Sequence, residues 1–136
     1  MRLEPLYSFT ASLRPRQIGV TPGGARLDVE FEGDLDPGGR LTGHLRAINY
    51  LTVRSDGVAH VHVRGTVTTP DGEVVAFTAT GLTVPAPDGS ATVRDAVTYQ
   101  TAASNLAWLN ATVGFAAGNA DLTKGELRLS VHTLAD

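Results

Sequence analysis

Apolar and polar residues alternate with a period of two along most of the chain, and clusters of turn-forming residues interrupt the alternation at short intervals. A period of two puts successive side chains on opposite faces of an extended strand, so the pattern predicts a meander of half-buried strands. The first strand is predicted over Leu3–Thr10. Leu13–Gly24 carries Pro15, Pro22, Gly23 and Gly24 and reads as an irregular crossing segment. Arg26–Glu32 alternates Leu27, Val29 and Phe31 against Asp28, Glu30 and Glu32. Asp36-Pro37-Gly38-Gly39 is a turn by composition, and a long extended stretch, Leu41–Arg54, follows it. Ser55-Asp56-Gly57 and Pro70-Asp71-Gly72 read as hairpin turns on either side of Val58–Thr69, because Asp-Gly suits two-residue turns. Glu73–Gly81, Thr92–Thr101, Ala107–Ala116 and Gly125–Leu134 complete the strands, with a loop at Pro85–Gly89. A short helix over Asn105–Gly114 is the alternative for the seventh, since Leu106, Leu109 and Val113 have helical spacing. About eight strands in one domain spanning residues 1–136 point to an all-β, mainly antiparallel small barrel, and a β-sandwich is the rival.

Composition narrows the function more by exclusion than by indication. The net charge is -3, and the ten arginines and one lysine are scattered, so no basic stripe marks a nucleic-acid binder. The chain has no cysteine, which excludes disulfides, thiolate nucleophiles and thiolate metal sites. No run approaches the ~18 apolar residues of a membrane helix, and Met1–Pro5 lacks the apolar core of a signal peptide. The expected setting is the cytoplasm, without nucleic-acid or membrane partners. Exposed strand surfaces suit a homodimer.

The candidate chemistry centres on three histidines, His44, His60 and His62. His60-Val61-His62 places two imidazoles on one face of a strand. No acid follows until Asp71, and Arg64 beside the pair repels a cation, so no metal is expected. That face continues through Arg64, Thr66 and Thr68. It is either the solvent face of the sheet or the lining of a barrel lumen. A two-residue turn at Asp56-Gly57 would set Asn49 opposite Arg64, whereas a three-residue turn would set Tyr50 opposite His62. In the lumen reading, His62, Arg64, Asn49 and Asn110 converge inside the barrel. Trp108 forms one wall, and Tyr50 and Tyr99 are further wall candidates. No nucleophile elbow, phosphate loop or dinucleotide fingerprint is present.

Several segments in order then carry a likeness. They are Ile18-Gly19-Val20-Thr21-Pro22-Gly23-Gly24-Ala25-Arg26, Gly39-Arg40-Leu41-Thr42-Gly43, and Asn49-Tyr50 with Arg54-Ser55-Asp56-Gly57. His62-Val63-Arg64 leading to Thr69-Pro70-Asp71-Gly72, and Trp108-Leu109-Asn110, complete the set. Through them the chain resembles the uncharacterised family called domain of unknown function thirty-two thirty-seven. The resemblance implies a barrel of the calycin or allene-oxide-cyclase-like kind and no established activity. Arg54, Arg64, Trp108 and Asn110 match the family's pattern. Asn49-Tyr50 stands where the family has an acid-aromatic pair, His62 where it has an acid, and Leu106 where it has an aromatic residue.

Two functional readings follow. In the first, the barrel is a cofactor-independent cyclase, isomerase or lyase acting on a small apolar carbonyl compound. His62 or His60 would be its acid/base, and Asn49, Tyr50, Arg54, Arg64, Tyr99, Trp108 and Asn110 its binding residues. In the second, the chain is a non-catalytic carrier or sensor of a small ligand, or a structural protein with no ligand.

Overall fold

The computed structural model describes residues 1–135. Eight strands follow one another round a closed antiparallel barrel: β1 (Arg2–Thr21), β2 (Gly24–Asp34), β3 (His44–Val53), β4 (Ala59–Thr68), β5 (Val74–Pro85), β6 (Ala91–Thr101), β7 (Val113–Asp121) and β8 (Glu126–Ala135). A 3-10 helix, Ser104–Ala111, separates β6 from β7. The expected barrel is therefore present, and the sandwich is not formed.

Closure depends on β1. Its first half, from Arg2 to Ser12, pairs with β8, and its second half, from Ser12 to Thr21, pairs with β2. The segment expected to cross irregularly from Leu13 to Gly24 is thus a strand. Pro15 lies on the stretch of β1 that pairs with β2 alone, Pro22 lies in the turn after Thr21, and the register slips between Gln17 and Gly19, where Gly19 takes a positive φ of 116°. A second slip, between Pro5 and Tyr7, turns both Leu6 and Tyr7 into the core.

Three hairpins share one turn. In Arg54–Val58, Thr69–Glu73 and Ala86–Ser90 the first residue's N–H donates to the last residue's carbonyl, and a glycine (Gly57, Gly72 or Gly89) holds φ between 84° and 88°. The central Asp does not adopt positive φ in any of them, so these are three-residue loops closed by a left-handed glycine; at Asp56-Gly57 the three-residue alternative is the one formed, and Pro70-Asp71-Gly72 is not a two-residue turn. The register follows from this: Asn49 lies opposite Val63, and Thr52 opposite His60.

The turns β1–β2, β3–β4, β5–β6 and β7–β8 lie at one end, the hairpin end. The opposite end is capped. There the 3-10 helix inserts Leu109, which is fully buried, and the segment between β2 and β3 inserts Leu35 and Leu41. Arg40 from that segment stacks on Trp108 of the helix, 4.2 Å from the ring centroid, a cation–π contact that ties the two halves of the cap together. Asn110 acts as a surrogate strand residue: its Oδ1 accepts from the Thr101 N–H at 2.8 Å and its Nδ2 donates to the Thr101 carbonyl at 3.0 Å. The strand expected over Ala107–Ala116 therefore begins only at Val113, and the helical alternative describes its first half.

The capped half of the interior is filled by aromatic rings lying over glycines. A methyl group on Gly65 would sit 2.7 Å from Phe77, and one on Gly114 2.8 Å from the Tyr99 hydroxyl. Tyr7 and Tyr99 share a hydrogen bond of 2.8 Å between their hydroxyls. Burial raises the Tyr7 phenol well above its ordinary value and Tyr99 to about 12, so both stay protonated. Leu109 seals this end, so Leu109→Ala should open a cavity and cost ~2–5 kcal/mol in urea denaturation. His62→Ala, on the exposed face described below, should change stability by no more than ~0.5 kcal/mol in the same measurement.

Candidate functional site

Which face of β4 looks inward is settled by the burial of Ala59, Val61, Val63 and Val67. Placing the apolar set inside leaves His60, His62 and Arg64 exposed on the outer wall. The expected convergence of His62, Arg64, Asn49 and Asn110 in the lumen does not occur. Burying a guanidinium with no carboxylate partner would cost several kcal/mol, whereas four small apolar side chains gain by the exchange.

The other candidates are dispersed. Tyr50 is on the outer wall and 38% exposed. Arg54 braces a hairpin turn by a two-pronged contact with Asp56, at 2.7 and 3.1 Å, which holds the Asp56 carboxyl down at about 2. Trp108 and Asn110 belong to the cap. His44 lies opposite Thr68, toward the capped end, while His60 is toward the other. The His44 ring bridges Asp34 at 2.7 Å and Glu32 at 2.6 Å, and these carboxylates raise its pKa. Among the described residues, no group of three or more His, Asp or Glu side chains is arranged to hold a metal. Among them, too, no helix is long and apolar enough to cross a membrane. Of the nine residues singled out as catalytic or binding, only Asn49 and Tyr99 face inward, and only Asn49 lines the interior cavity; Arg64, Tyr99 and Asn110 come together instead at an open groove across β4, β5 and β6, beside Thr78, Thr98 and Gln100.

That cavity occupies the hairpin half of the barrel. It has a volume of about 90 Å³ and walls that include Val29, Phe31, Leu51, Val63, Val93 and Leu129. Three residues of its lining carry polar side chains, Asn49, Thr83 and Asp95, and of these Asn49 and Asp95 lie deepest. Asn49 is half-buried, and its Oδ1 accepts the His62 backbone N–H at 3.1 Å. With that oxygen committed, the amide has its Nδ2 donor left to offer the cavity.

Asp95 is the residue that sequence reasoning missed. It lies on β6 between Val93 and Val97, all three pointing inward, and it is the one buried charged or polar residue of the described core. Its Oδ1 is buried without a hydrogen-bond partner among the described residues. Its neighbours make room for it. Gly81 pairs with Asp95 across β5, and a methyl group there would lie 2.5 Å from Oδ1; Ala116 pairs with it across β7. Desolvation alone raises the Asp95 carboxyl to about 7. The signal was present in the sequence: Val93, Asp95, Val97 and Tyr99 share one parity, so a carboxyl interrupts an otherwise apolar face.

An unpaired carboxyl in an apolar wall is available for exchange with a ligand near neutral pH. It also burdens the fold. The folded-state value lies above the ordinary 3.8, so the folded chain holds the proton more tightly than the unfolded one. The Asp95 contribution to stability is therefore greatest below pH ~4, falls as pH rises to ~7, and levels off above that, opposite in sign to the contribution of exposed carboxylates held low by a partner, such as Asp56. At ~1.4 kcal/mol for each pH unit separating the two values, the loss is on the order of 4 kcal/mol. In urea denaturation across this range, Asp95→Asn should abolish most of the decline and be the more stable protein at alkaline pH. A methyl group at Gly81 would also strike the Arg94 backbone carbonyl, so Gly81→Ala should destabilise the wild-type and Asp95→Asn backgrounds alike.

The comparisons with known proteins agree with this architecture. The profile of the family described as "Protein of unknown function (DUF3237)" matches residues 1–132. A search of curated proteins gives no match. The chain is similar in structure to a β-barrel like protein from Acinetobacter baumannii AYE, with 20% identity, a TM-score of 0.83, and coverage of 98% of this chain and 96% of that one. It is also similar to a protein of unknown function from Clostridium acetobutylicum ATCC 824, with 18% identity, a TM-score of 0.86, and coverage of 99% and 100%. An enzyme from Penicillium herquei is similar at 19% identity, with a TM-score of 0.68 and coverage of 98% and 94%. These likenesses establish the fold. With its profile matched over nearly its whole length, the chain belongs to the DUF3237 family of small β-barrel proteins.

Proposed function

We propose that this barrel binds a small neutral carbonyl compound in the cavity at its hairpin end, with Asp95 as the acid/base group and Asn49 as the carbonyl's hydrogen-bond donor. One observation carries the reading: a residue lining the apolar cavity is a carboxylic acid, and one of its oxygens is buried in the wall without a partner among the described residues. Such a group costs stability, and a bound polar group is what relieves the cost. Asp95 and Asn49 replace His62 and His60 as the chemical centre, because the histidines lie on the far side of the sheet from the cavity.

The step this pair supports is a proton shift next to a carbonyl. The Asp95 carboxylate takes the α-proton, and the C–H electron pair moves toward the carbonyl to give an enolate. The Asn49 amide donates to the enolate oxygen. Asp95 then returns the proton to the same carbon or to a conjugated one. Atoms and electrons balance within the substrate, so the step is an isomerisation or an exchange and needs no oxidant. Burial suits Asp95 to this task, since a base that titrates near neutrality is strong enough to accept the proton and weak enough to release it.

Cyclohexanone in deuterated water provides the test, with loss of its α-proton signals followed by NMR. The wild-type protein should accelerate exchange with a rate that rises through pH ~7, and Asp95→Asn should lower the accelerated rate by about a hundredfold. His62→Ala should leave it unchanged. Binding of cyclohexanone without exchange would favour the carrier reading, in which Asp95 only anchors the ligand.

A further inference from the structure

We propose that the natural ligand is an amphiphile bound head first, its neutral polar head held at Asp95 and Asn49 and its apolar tail leaving the barrel past Leu122. The inference rests on the carbonyl-binding reading above and adds the ligand's orientation and its shape.

The positions of the two polar groups set the depth. Asp95 lies four residues in from Ala91, the first residue of β6, and Asn49 four residues in from Val53, the last of β3. Both ends belong to the hairpin end of the barrel. At ~3.3 Å per residue, each group is ~13 Å along its strand from the mouth, or ~10 Å along the axis for strands tilted by ~40°. The wall between is mostly apolar, with Leu13, Leu51, Ala91, Ala120 and Leu122 among its residues.

The mouth is apolar as well. Leu122 lines the cavity and is 54% exposed, so the cavity meets solvent beside the β7–β8 turn. At the same end, Val20 is 90% exposed and Ile18 51%. The carboxyl and the amide thus lie at depth, and the rim carries the apolar Ala91 and Leu122 beside the Thr83 hydroxyl.

Size sets how much of the ligand is enclosed. The cavity's volume of about 90 Å³ is well below the ~300 Å³ at which pockets begin to enclose a whole drug-sized ligand. It holds a head and the first few carbons, so the rest of a tail would lie along the rim at Leu122. Charge restricts the head: no Arg, Lys or His lines the cavity, so an anionic head would face Asp95 without a counter-ion.

The test uses two ketones that differ only in tail length, methyl ethyl ketone and methyl hexyl ketone. Dissociation constants are read by NMR titration of wild-type protein, Leu122→Ser and Asp95→Asn. The hexyl ketone should bind wild-type protein more tightly, by about fourfold for each added methylene that is buried. Leu122→Ser, at an exposed turn position, should weaken the hexyl ketone and leave the ethyl ketone unchanged, whereas Asp95→Asn should weaken both. Equal affinity for the two ketones, or an equal effect of Leu122→Ser on both, would overturn the head-first orientation while leaving the head site standing. Unchanged binding of both ketones by Asp95→Asn, or no binding of either by wild-type protein, would overturn the carbonyl reading and the orientation with it.

Discussion

The structure depends on one constraint: β1 must pair on both sides. A strand of 20 residues gives its first half to β8 and its second half to β2, and through it the ring closes. Closure makes every inward side chain a neighbour of the others across a narrow lumen, and that lumen must be filled or left hollow. In the capped half it is filled, by Phe77 and Tyr99 lying over glycines and by Leu109 entering from the 3-10 helix. In the hairpin half the inward residues are smaller, among them Ala91, Ala120 and Thr83, and a hollow remains. The site is therefore a consequence of how side-chain volume is distributed along the axis.

The same closure explains why a carboxyl persists where it costs stability. Ala116 and Gly81 flank Asp95 and leave its side chain space between strands. No cation reaches it from the opposite wall, so desolvation sets its proton affinity unopposed. The exposed carboxylates behave in the other direction. Asp56, held by Arg54, and Asp36, held by Ser8 and Arg128, both fall below their ordinary value. One protein thus keeps one type of side chain in two protonation regimes, and only the interior one is suited to proton transfer near neutrality.

Much of the fold was legible in the sequence because period-two alternation and glycine-bearing turns are local signals. Three turns carry Asp-Gly at the same place, and each one reverses the chain. The errors arose where local signals compete with long-range pairing. Prolines in Leu13–Gly24 suggested irregular chain, yet the β2 partner holds that segment extended. The candidate site was less legible. Alternation states that His62 and Val63 face opposite ways but not which face closes inward. That choice belongs to the summed burial of a whole strand, which favours Val61, Val63 and Val67. Asp95 could have been found by asking the converse question, namely which apolar face carries one charge.

The site depends on a lone carboxyl lying desolvated and unpaired inside the barrel. NMR titration of the Asp95 side-chain carbon, labelled with carbon-13, reads this in the ligand-free protein. The midpoint should lie near 7, well above the other aspartates. A midpoint near the ordinary 3.8 would mean that water or a partner solvates the group, and the proposed site would fall with it.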